Sequence, residues 1–73
     1  MHMHPVKSTN IKAIGYNAEK RTMRVDFGAN VYEYDDVPPE THRDFVEAQS
    51  IGSHFHKHIR GKFQHRMLTG AGR

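Results

Sequence analysis

The sequence predicts an α+β domain: a three-stranded antiparallel β-meander followed by two α-helices packed on one face of the sheet. Three observations carry this reading. Residues 11–34 hold short runs of apolar and β-favouring side chains separated by tight polar turns. The run Val37-Pro38-Pro39 then stops the pattern, because proline donates nothing to a ladder and holds the preceding residue extended. Beyond it Ile51, Phe55, Ile59 and Phe63 recur every four residues, the spacing of one narrow helix face.

In chain order, residues 1–7 are expected to form a flexible arm, 8–68 a single domain and 69–73 a flexible tail. Strands are predicted near 10–16, 22–28 and 30–36. In the first, Ile14 and Tyr16 share a face. In the second and clearest, Met23, Val25 and Phe27 point one way while Thr22, Arg24 and Asp26 point to water. In the third, Tyr32 and Tyr34 share a face. The connections Asn17–Lys20 and Gly28–Asn30 are too short for a parallel crossover, so the strands must run antiparallel. Helices are predicted near 39–49 and 53–64. Pro39 suits a first helical turn, Glu40 complements the positive end of the dipole, and Ser50 or Ser53 caps the second helix. Both apolar stripes then cover one sheet face. The expected buried set is Met23, Val25, Phe27, Phe45, Phe55, Ile59 and Phe63, with at least one of Tyr32 and Tyr34.

Composition excludes several classes of function. Seventy-three residues make one domain with a small core. The absence of cysteine removes disulfides and thiolate chemistry. No apolar run is long enough to span a membrane, and Met1–Pro5 lacks the apolar centre of a signal peptide, so a cytoplasmic protein is expected. Charge is sharply divided. Residues 1–47 carry six basic and eight acidic side chains, whereas residues 48–73 carry five basic and no acidic ones. Seven histidines are present, four of them in that basic third.

Read in order, Asn10-Ile11, Ala13-Ile14-Gly15-Tyr16, Phe27-Gly28, Val31-Tyr32-x-Tyr34, Val37-Pro38, Ala48-x-Ser50-x-Gly52-x-x-Phe55 and Ile59-Arg60 resemble the KTSC domain family. That family is named for a domain at the C-terminus of some lysyl-tRNA synthetases and also occurs as short stand-alone bacterial and phage proteins. The resemblance spans about Lys7 to Phe63. It departs from the family pattern at Thr41, His42, His54 and His56, where a larger apolar residue, two aromatics and an asparagine would be expected. It implies a fold and, by association with a synthetase, contact with RNA; it carries over no catalytic residue.

The residues themselves point to a non-catalytic binding domain. Lys57, Arg60, Lys62 and Arg66 form the basic candidate surface, suited to neutralising the phosphates of RNA or another polyanion, with neighbouring Tyr and Phe rings available to stack on unpaired bases. The plainer interpretation is a solvated helix face complementing its own dipole. His54 and His58 stand four apart, as two metal ligands on a helix would. No carboxylate or cysteine completes the set, and Lys57 lies between them, so no metal or other cofactor is expected; the pair reads instead as polar surface residues, or His54 packs its ring beside the core where the family resemblance has an aromatic. Ser50 and Ser53 read as caps rather than nucleophiles, and Asp35-Asp36 as a turn rather than a carboxylate pair. The alternative function is a protein-interaction module, an accessory or inhibitor subunit that uses a free sheet edge.

Overall fold

The computed structural model describes residues 2–68 of the chain. The architecture is α+β with a wholly antiparallel sheet and two helical segments on one face, but the sheet has five strands rather than three. They are β1 (Met3–Pro5), β2 (Ala13–Asn17), β3 (Thr22–Asp26), β4 (Val31–Tyr34) and β5 (His65–Met67), paired in that order. The three central strands are those the alternation predicts. The two outer ones are corrections. Met3–Pro5 was expected in a flexible arm; it pairs with Ala13–Gly15 as an edge strand, where Pro5 costs no interior ladder bond. His65–Met67 follows the second predicted helix, where no strand is expected; it pairs with Tyr32–Tyr34. The predicted tail, 69–73, lies outside the described residues.

The turns form for local reasons. Asn17 Oδ1 accepts from the backbone N–H groups of Glu19 (3.0 Å) and Lys20 (3.2 Å), bending the β2–β3 connection. Asp26 Oδ1 accepts from Gly28 N–H at 2.7 Å, and Gly28 adopts φ +95°, a conformation that suits glycine. After β4, Val37 does more than stop the sheet. Its N–H bonds the Arg21 carbonyl at 2.8 Å, its carbonyl accepts from the Tyr16 hydroxyl, and its side chain is fully buried.

Helix α1 (Pro39–Val46) begins with Pro39 in its first turn and buries Phe45. Helix α2 (Ile51–His54) is capped by Ser50, whose Oγ accepts from Ser53 N–H at 3.4 Å, and runs straight into a π-helical turn, Phe55–Ile59. In that turn Arg60 N–H bonds the carbonyl of Phe55 rather than of His56. The wider turn brings residues four apart closer to one face, and Ile51, Phe55 and Ile59 are all buried. The helical segment ends there, short of the predicted 64. Arg60 is extended and Gly61 takes φ +76°, so Phe63 lies in the connection to β5 and is only half-buried.

The core joins both layers: Ile14, Met23, Val25 and Tyr34 from the sheet meet Phe45, Ile51, Phe55 and Ile59 from the helices, with Ile11 and Val37 at the seams. Phe27 belongs to the expected buried set but is half-buried, because it meets Phe55 of the helical layer on one side and faces an open depression on the other. No helix among the described residues is long and apolar enough to cross a membrane.

Candidate nucleic-acid interface

All four predicted basic residues are exposed, but they do not form one surface. Lys57 lies in the π-helical turn, Arg60 caps its end and Lys62 follows in the turn to β5. Among the described residues no carboxylate pairs with any of these three. Arg66 is different. It stands opposite Glu33 in the β4–β5 register, on the sheet face turned away from the helices. There its Nη1 donates to Asp35 Oδ2 at 2.9 Å and its Nη2 lies 3.3 Å from Glu33 Oε1. Those contacts, the hydrogen bond to Asp35 foremost, raise its affinity for its proton further. Glu33 is only 9% exposed and is held on its other side by Arg24 at 3.7 Å. Arg66, rather than Arg60, ties the chain to Asp35. Arg60 instead has its guanidinium 3.5 Å from His56 Nδ1.

Beside Arg60 the uncovered end of the sheet forms an open depression of about 570 Å³. Its walls are the rings of Phe27, Tyr32, Tyr34 and Phe55, with His65 of β5 and Arg60 at the margin. The rings brace one another. Phe27 meets Tyr32 and Phe55 edge-on, with centroids 5.7 and 5.3 Å apart. His65 stacks on Tyr34 at 5.4 Å. Burial pushes the Tyr34 phenol up to about 12, so its hydroxyl stays protonated near neutral pH. Among the described residues no acidic one lines the depression.

The central histidines take structural places. His42 stacks face to face on Tyr16 with centroids 4.4 Å apart, and His54 stacks on Phe45 at 5.8 Å. These are two of the positions where the family resemblance called for aromatics, and the imidazoles fill them as flat rings. Burial lowers the proton affinity of both; His4 adds to this at His42, and His58 adds to it at His54 while Asp44 opposes. His54 and His58 have their rings 4.5 Å apart, yet the described residues contain no group of three or more His, Cys, Asp or Glu placed to hold a metal ion.

The two stacked imidazoles, His42 and His54, make the stability of the domain depend on pH. Their folded proton affinities lie below the unfolded value, so near and below pH 6.5 the unfolded chain binds more protons and stability must rise with pH. The melting temperature is expected to fall between about pH 7.5 and about pH 5.5, a window in which carboxylates stay largely ionised. The fall should shrink in a His42→Gln/His54→Gln variant. An equal fall in wild type and variant would contradict this assignment.

Comparison with known proteins places the chain. The KTSC domain family profile matches residues 7–63. A lysine–tRNA ligase of Nostoc punctiforme is 40% identical over 60 residues, covering 81% of this chain; the chain spans only 11% of the length of that ligase. A protein of Tsukamurella paurometabola is 33% identical over 63 residues, covering 85% of this chain and 94% of its own. The crystal structure of a KTSC domain protein from Yersinia pestis is 35% identical and superposes with a TM-score of 0.90, covering 93% of this chain and 97% of that one.

Proposed function

The chain belongs to the KTSC domain family, and from that premise we propose that it is a non-catalytic domain that contacts RNA through the cationic end of its second helical segment. The observation that carries the proposal is Arg60, exposed and without a carboxylate partner among the described residues, at the margin of an aromatic depression that no acidic residue lines. Lys57 and Lys62 flank it in sequence and are equally exposed. Three such cations suit a phosphate backbone, and the rings beside them suit bases. The similarity to part of a lysine–tRNA ligase supports the same reading, because that protein handles tRNA.

The test is fluorescence anisotropy with tRNA and with a mixed-sequence single-stranded RNA. Non-specific affinity at physiological salt is expected at about 10⁻⁴–10⁻⁶ M. Three phosphate contacts on a single strand should weaken binding roughly 20-fold between about 50 and about 200 mM salt. Absence of binding at the lower salt, or binding indifferent to salt, would refute RNA contact. The second reading, a protein-interaction module, rests on β1 and β5 as the sheet's edge strands, and on Met67 of β5, which is 47% exposed. Salt-insensitive capture of a protein through the β5 edge would favour it.

A further inference from the structure

We infer that the depression between β4 and the end of the π-helical turn receives a single unpaired nucleobase, which gives the domain a preference for single-stranded over duplex RNA. The inference rests on the RNA-contact reading above and adds to it the site that a base would occupy.

Four features of the depression carry it. Its volume of about 570 Å³ lies within the usual range for small-ligand sites, and its mouth is open. Its walls are aromatic, and Phe27 and Tyr32 are half-buried, so part of each ring remains available for contact. An aliphatic side chain would gain from such walls only by burial; a base gains by stacking as well. The lining also includes residues that can hydrogen-bond a base edge. Asn30, whose amide has both donor and acceptor capacity, is among the lining residues, as are Tyr32, Tyr34 and His65. The charge at the margin is of one sign. Arg60 can meet the phosphate attached to the inserted base while Lys57 and Lys62 take its neighbours, and no lining carboxylate repels them.

The backbone sets this geometry. The extended Arg60 and the φ of +76° at Gly61 turn the chain sharply out of the helix, and this brings β5 back beside β4 with His65 against Tyr34. A base inside a duplex cannot enter, because its faces are already stacked and its edge paired.

Three ligands of equal length separate the base from the backbone: a mixed-sequence single-stranded RNA, the same strand made abasic, and its duplex. Intact protein should bind the single strand about 5- to 100-fold more tightly than the abasic strand, the range expected for one stacked base. The Tyr32→Ala variant should bind both strands alike, with the salt dependence of the abasic complex unchanged. Should that variant fail to fold, ring-proton NMR of the wild-type protein decides. The Tyr32 and His65 signals should move with the single strand and stay put with the abasic strand and the duplex. Equal affinity for the single and abasic strands would overturn the base site while leaving RNA contact standing. Failure to bind any of the three would overturn both and turn attention to a protein partner.

Discussion

Phe55→Ala is expected to leave the domain largely unfolded at room temperature. Phe55 is 7% exposed and is the ring on which the two layers converge: its centroid lies 5.3 Å from Phe27, 6.0 Å from Tyr34 and 6.1 Å from Phe45. Emptying a buried phenylalanine site costs about 3–5 kcal/mol. A domain of this length has on the order of 4–11 kcal/mol in total, and a core this small puts it towards the lower end, where the loss takes most or all of its stability. The surroundings are poorly placed to collapse into the space. The π-helical turn is anchored by Ile59 behind Phe55, and the wall on the other side is already open to water. Circular dichroism melts of wild type and variant would read the effect directly. An unchanged melting temperature would show that the helical segment does not hold to the sheet through this stripe.

Much of this packing is legible in the sequence, and the parts that are not share a physical cause. The central strands can be read because their buried and exposed faces differ, as in Met23 and Val25 against Thr22 and Arg24. The stripe Ile51, Phe55, Ile59 can be read for the same reason. The edge strands cannot. Met3–Pro5 and His65–Met67 are three residues each and almost wholly exposed, so backbone pairing holds them and leaves no apolar alternation in the side chains. The helix end was misjudged because a four-residue spacing continues to Phe63 while the backbone turns away at Gly61. Val37 reads as punctuation, yet its side chain is buried; only its place in the folded core, with the Tyr16 hydroxyl on its carbonyl, reveals that.

The candidate site was legible as charge but not as shape. Charge counting finds the acid-free third of the chain and treats its cations alike. Long-range pairing, which counting cannot see, brings Asp35 and Glu33 from β4 and its following turn to Arg66 and leaves Lys57, Arg60 and Lys62 without a carboxylate partner among the described residues. The aromatic depression needs two stretches far apart in sequence, residues 27–34 and 55–65, and a break in the helix to keep its mouth open.

That division yields the sharpest functional expectation. A Lys57→Gln/Arg60→Gln/Lys62→Gln variant should lose RNA affinity about 100-fold or more at low salt, the order expected for removing three phosphate contacts, and should melt as the wild type does. All three side chains are exposed, and no ion pair among the described residues depends on them. Arg66→Gln should do the reverse. It removes a cation already engaged by two carboxylates, so RNA affinity should stay within about twofold. It also leaves Glu33 with Arg24 alone, so the melting temperature should fall. The two variants carry changes of the same sign in residues that charge counting cannot tell apart, so each serves as the control for the other. Loss of RNA binding in Arg66→Gln equal to that of the triple variant would move the interface to the opposite sheet face. Full retention by the triple variant would remove these three cations from any role in RNA contact.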